Sequence, residues 1–157
     1  MRKKDVTDIT RVSPAHRGRL RHSIDFIASE GRPIYAALGG KVTYVKQNSK
    51  VGGPHRRFWF KGNRIEINHK NDEYTAYEHL MYNGAKVKVG QTVRKGQLIG
   101  YSGNTGYSHR PHLHFEVFRY TGPDKNKDVE TLVISFKLKV KISRKQWLRN
   151  LKLFLFS

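Results

Sequence analysis

Between Ala85 and Gly100 the sequence cannot hold one regular element for more than a few residues. Val87-Lys88-Val89-Gly90, Val93-Arg94-Lys95-Gly96 and Leu98-Ile99-Gly100 are short valine-rich or aliphatic pieces, each closed by glycine. Glycine supplies the positive φ that tight corners require, so the stretch is predicted to be a tight β-meander. Similar punctuation recurs along the chain. Glu30-Gly31-Arg32-Pro33 reads as a turn, and Ile34 to Leu38 leads through Gly39-Gly40 into a strand over Lys41 to Lys46. Asn63 to His69 alternates as a strand, Asn71-Asp72-Glu73 turns, and Tyr74 to Leu80 returns, giving a hairpin that ends in a histidine. Gly103-Asn104-Thr105-Gly106 is a further turn. These pieces amount to at least six strand candidates with no helix before residue 120. The expected fold is therefore all-β, a compact antiparallel, sandwich-like sheet with long loops. A length of 157 residues suits one domain. Residues 1–12 read as an irregular basic N-terminus, 13–120 as the β domain, and 121–157 as a basic extension with one further strand over Thr131 to Phe136.

The stretch Pro111-His112-Leu113-His114-Phe115-Glu116-Val117 carries the chemistry. Strand alternation puts His112, His114 and Glu116 on one face and Leu113, Phe115 and Val117 on the other. The apolar set can enter a core while two imidazoles converge outside it. Imidazole is a common zinc ligand and the side chain best tuned for proton transfer near neutral pH. The chain has no cysteine, so any metal must be held by His, Asp or Glu. Asp25 stands between Ile24 and Phe26, free to point away from a core, as a ligand or as a turn aspartate. The Phe58-Trp59-Phe60 island within the polar loop Gln47 to Gly62 is expected to pack the loop rather than to form an aromatic wall. Packing is likewise expected of Tyr74, Tyr77 and Tyr107, and a structural role of His69.

Lys and Arg number 31 against 12 Asp and Glu, a formal charge of +19. Such a balance attracts polyanions without specifying a fold. No RNA-binding signature or basic helix is present and the basic residues are scattered, which argues against a specific nucleic-acid partner. A carrier domain of the lipoyl or biotinyl kind, suggested by Val87 to Gly100, is excluded because no lysine sits in a suitable tetrapeptide. Met1 to Lys4 is basic but no apolar region follows, so no signal peptide is visible, and nothing approaches the length of a membrane span. Lys137 to Lys152 carries no acidic residue and Leu151 to Phe156 is mostly apolar. This tail reads as a packing strand or an unordered segment in preference to a membrane-surface one.

Taken in order, His16-Arg17-Gly18, Ser23-Ile24-Asp25-Phe26, Glu30 to Ala37, Tyr77-Glu78-His79-Leu80, Val87 to Gly90, Lys95 to Gly100, Ser102 to Gly106 and Pro111 to Val117 closely resemble the lysostaphin/LytM-type zinc metallopeptidases of peptidoglycan. The resemblance covers roughly residues 13–120. It implies one zinc ion per chain, with Asp25 and His114 as ligands and with His79 and His112 flanking the water that attacks. It also implies a monomer acting on peptidoglycan peptides in the cell envelope or outside the cell. Anionic wall polymers would be further partners for the positive charge. The loops Gln47–Gly62 and Gly103–Arg110 would select the bond.

The chain departs from the family pattern at the first ligand. The position four residues before Asp25 is Arg21, which cannot bind zinc. His16, nine residues before Asp25, matches the longer spacing of a branch of the family. His22, three residues before Asp25, should face away from it on a strand. The preferred ligand is His16. A site short of a ligand would instead make an inactive domain that binds wall or regulates a partner hydrolase. A second departure is Arg110, where glycine is usual; its neighbour His109 reads as a solvated loop histidine in preference to a rim residue contacting substrate.

Overall fold

The computed structural model describes residues 1, 5–11, 13, 15–124 and 128–135. Twelve strands are formed among them: β1 (Asp8–Thr10), β2 (Ile24–Ile27), β3 (Pro33–Tyr35), β4 (Gly40–Lys46), β5 (Gly52–Gly53), β6 (Arg64–Asn68), β7 (Tyr74–Glu78), β8 (Thr92–Val93), β9 (Leu98–Tyr101), β10 (Gly106–Tyr107), β11 (His112–Tyr120) and β12 (Val129–Thr131). The remaining regular pieces are short 3₁₀ turns, as the all-β expectation requires. Seven strands lie in the order β1-β2-β11-β7-β6-β4-β8, with β12 beside the far end of β11. Every pairing in this sheet is antiparallel.

Its central strand, β11, has β2 on one side and β7 on the other, which decides what the site contains. His114 lies opposite Asp25 of β2 and opposite Glu78 of β7. Directly opposed residues share a face. The other face is the core, where Leu113 and Phe115 pack with Ile24, Ile65, Ile67, Tyr77, Val42 and Ile99. Tyr77 is packed as expected, its hydroxyl accepting the Ala37 N–H at 2.8 Å. Fully burying each large apolar side chain contributes about 1.5–3 kcal/mol, so the core anchors β11 firmly while its even-numbered residues stay on the opposite face.

Three expectations are corrected. The meander is absent: β8 pairs with β4 and β9 with β3, not with one another. Gly96, at φ 78°, turns the chain so that it leaves the edge of the main sheet and pairs with β3 instead. The N-terminal segment is not wholly irregular, since Asp8–Thr10 pairs with β2. The strand expected over Thr131 to Phe136 forms earlier, at Val129–Thr131, where Phe118 to Tyr120 offer a free edge. The basic and apolar tail from Phe136 onward lies outside the described residues.

Candidate metal centre

Three imidazoles surround one carboxylate oxygen. Asp25 Oδ1 lies 3.1 Å from His16 Nε2, 2.9 Å from His114 Nδ1 and 3.7 Å from His112 Nε2. Asp25 and His114 are brought together by the β2–β11 register. His16 arrives from a loop, whose ring is set by its Nδ1–H donating to the Arg11 carbonyl at 3.0 Å. Burial works toward protonating Asp25, but the hydrogen bonds from His114 and His16 outweigh it and hold the carboxyl well below its usual range. His22 stands outside the cluster, its Nε2 accepting from Arg21 Nε at 3.0 Å. The ligand atoms of His16, Asp25 and His114 all lie within 4.8 Å of one another, and so do those of His79, His112 and His114. Either set can hold a metal ion.

His79 reaches this place against strand alternation. Tyr77 points into the core and Glu78 toward the site, so an extended residue 79 would turn back to the core. A left-handed backbone, φ 61°, re-aims it. The ring then lies 4.6 Å from that of His112. Its Nδ1–H donates to the Thr105 carbonyl at 2.7 Å. That contact needs a close approach of two loops: a Cβ on Gly106 would sit 2.6 Å from Gly62 Cα. His112 is fixed in the same manner, Nδ1–H donating to the Arg110 carbonyl at 2.7 Å. Both rings thus present an unprotonated Nε2. Burial opposes charge on His79 and the neighbouring His112 adds to it, so His79 titrates at about 4. His112 is likewise pushed down by burial. Two neutral bases therefore face the cluster at neutral pH.

Sequence reading placed Glu116 on the site face without giving it a task. It is 2% exposed and its Oε1 lies 3.2 Å from His114 Nε2. His114 is consequently gripped at both nitrogens by carboxylates. Burial opposes its charge, yet the bonds to Asp25 and Glu116 prevail and raise it to about 10. Beyond Glu116, Arg64 donates to Glu78 Oε1 at 2.7 Å and forms an ion pair with Glu66 Oε1 at 2.8 Å, and Tyr120 donates to Glu66 Oε2 at 3.3 Å. Arg64 and Glu78 are cross-strand partners. The spacing of the β6–β7 hairpin carried this signal. His69, as expected, is structural, bridging the Gly39 carbonyl and Thr75 Oγ1.

A groove passes over the cluster. One arm follows the sheet past Glu78, Arg64, Glu66, Tyr74 and Tyr120; the other is a cleft of about 740 Å³ reaching Arg56, His109 and Arg110. Between them stand Trp59 and Tyr107, ring centroids 5.6 Å apart. The aromatic island is thus a wall at Trp59 and Phe60, 40% and 83% exposed, while Phe58 packs over Gly53 within the loop. Residues 56–61 form a 3₁₀ turn, which has about three residues per turn and aims three successive rings in three directions. Tyr107 also lines the groove.

Peptidase family M23 matches residues 19–129. The chain belongs to this family. Among curated M23 relatives, the peptidoglycan DD-endopeptidase ShyC of Vibrio cholerae is 39% identical over 112 residues, which is 71% of this chain and 22% of that protein. The solved catalytic domain of lysostaphin from Staphylococcus simulans superposes with a TM-score of 0.53 at 32% identity, over 70% of this chain and 74% of that one. A zinc-containing peptidase from Vibrio cholerae gives a TM-score of 0.50 at 38% identity, over 61% of this chain and 26% of that one. The chain spans about a fifth of the length of the curated M23 relatives it matches. His16 precedes the matched M23 segment, and it reaches Asp25 from the loop before that segment. Arg110, the other departure from the M23 pattern, is not among the residues with positive φ. Its carbonyl serves His112, which a side chain at that position does not impede.

Proposed function

We propose that this M23 domain is a zinc-dependent endopeptidase that hydrolyses peptide bonds in peptidoglycan cross-links or stem peptides, in the cell envelope or outside the cell. The observation that carries the reading is the meeting of His16, Asp25 and His114 at one point, with two neutral imidazoles facing it. Two nitrogens and a carboxylate oxygen are zinc's ordinary donors, and tetrahedral bonds of ~2.1 Å would space them by roughly 3.4 Å. The donors here stand 2.9 and 3.1 Å apart and fit with little movement. His16, Asp25 and His114 would hold the ion. Asp25 makes this set the better one, because an ionised carboxylate offsets the metal's charge where three imidazoles do not. When bound, zinc supplies Lewis-acid polarisation of a carbonyl and a lowered pKa for water.

The chain's own residues do the rest. The free Nε2 of His79 or His112 accepts a proton from the attacking water. The imidazolium so formed donates to the carbonyl oxygen as it gains charge, and then to the departing amine. Thr105 and Arg110 hold the two rings in the required tautomer. Zinc stoichiometry, together with hydrolysis of purified peptidoglycan before and after chelation, tests the reading. One zinc per chain and activity lost on chelation and restored by zinc are expected. His16→Ala should lose the ion. His79→Ala should keep it and lose activity by ~10²–10⁴-fold. Full lytic activity of metal-free protein would end the proposal.

Glu116 is then an orienting residue: by accepting from Nε2 it leaves Nδ1 of His114 for the ion. Such partners are worth about 10–100-fold in metal affinity. Glu116→Gln is expected to weaken zinc by that factor in competition with a chromophoric chelator. Unchanged affinity would remove Glu116 from the site.

A further inference from the structure

The two arms of the groove differ in charge. In the sheet arm, Arg64 is already bound to Glu66 and Glu78. In the other, Arg17, Arg56 and Arg110 line one cleft, with Arg19 at the border of both arms, and among the described residues the only carboxylate there is Asp25, which is committed to the histidines. All four arginines are exposed. The arginine ion pairs among the described residues are made elsewhere, by Arg21, Arg64 and Arg119. Four guanidinium groups with no carboxylate partner among the described residues therefore border the same cleft as the candidate catalytic histidines, beside the Trp59–Tyr107 wall. A guanidinium offers a planar fork of donors that matches a carboxylate at two points and is always charged. A neutral amide or a run of glycines presents nothing equivalent.

We infer that this arm is a carboxylate subsite: the domain selects peptides that bear a free carboxylate within a few residues of the bond to be cut, and discriminates against amidated or glycine-only peptides. The word "cut" rests on the endopeptidase reading; the subsite itself does not. A peptide carboxylate suits this arm better than a wall polyphosphate, because the arginines border a cleft with an aromatic side rather than an open face.

Two probes decide it: a cross-linked stem-peptide dimer with free carboxylates, and the same dimer fully amidated. Binding is measured by fluorescence anisotropy on the whole chain with metal chelated, and hydrolysis separately on zinc-loaded protein. The free-acid dimer is expected to bind about tenfold or more tightly, the effect of one charge-assisted hydrogen bond or more, and to lose that advantage in salt. Arg56→Gln should raise Kd and KM for the free acid several-fold, leave kcat and the amidated dimer unchanged, and be partly rescued by lysine. Arg119→Gln removes the same charge from the far end of β11 and should change neither. Equal binding of the two dimers would overturn the inference. So would an equal loss in Arg119→Gln, which would reduce the effect to net charge, or displacement of both dimers alike by polyglycerol phosphate. Discriminating binding without hydrolysis would uphold the subsite and refute the endopeptidase; hydrolysis of both dimers at equal rate and affinity would do the reverse.

Discussion

His114→Ala is expected to abolish stoichiometric zinc binding and to lower peptidoglycan hydrolysis by ~10³–10⁴-fold or more, the loss that follows when a hydrolytic constellation loses a member. The residue stands at the crossing of every relation in the site. It is opposite Asp25 and Glu78 in the sheet, and its two nitrogens face Asp25 at 2.9 Å and Glu116 at 3.2 Å. With carboxylates on both sides and a pKa raised to about 10, its ring is an imidazolium at neutral pH in the metal-free protein. An ion binding at Nδ1 must displace that proton. Zinc uptake by the wild type should therefore release at least one proton per ion near pH 7, and affinity should rise with pH. Titration calorimetry in buffers of differing ionisation enthalpy measures the release. Uptake without proton release would show that Nδ1 of His114 is not a ligand.

Much of this site was readable because strands make side-chain direction a matter of counting. His112, His114 and Glu116 share a face since they differ by two, and Asp25 is turned toward them since Ile24 and Phe26 flank it in the chain. The β6–β7 hairpin was legible for the same reason. Counting fails where the backbone leaves the strand. His79 follows β7 in a left-handed conformation that no alternation rule foresees. His16 is separated from Asp25 by a 3₁₀ turn over Gly18–Leu20, so only the family pattern with its longer spacing pointed to it. The aromatic loop misled because three consecutive rings look like a packed cluster in the sequence and radiate in a 3₁₀ turn. The valine–glycine stretch misled in another way: the turns were read correctly, but which strand each short piece joins is decided by distant edges of the sheet. Interaction partners such as Arg64 and Glu78 needed the register, which the hairpin length alone sets.

Arg64→Ala is expected to destabilise the fold by about 3–5 kcal/mol, the cost of stranding buried charge. The side chains involved are 24% exposed for Arg64, 12% for Glu66 and 22% for Glu78, and Glu116 is 2% exposed beside them. In the wild type, burial works toward protonating Glu78, but Arg64 first and His114 next outweigh it and keep its pKa below the ordinary value. A depressed carboxyl stabilises the fold above its unfolded pKa and loses that contribution as the pH falls below it. Without Arg64, burial raises the pKa of Glu78 instead and pushes that of Glu66, already raised by burial, further up. Raised carboxyls make the folded state take up protons, so the variant gains relative stability as the pH falls. The difference between wild type and variant should therefore be largest near pH 7 and shrink toward pH 4. Urea denaturation at both pH values measures it. A difference under about 1 kcal/mol at pH 7, where an exposed pair would fall, or one that does not narrow in acid, would show that the guanidinium is not what holds this buried network together.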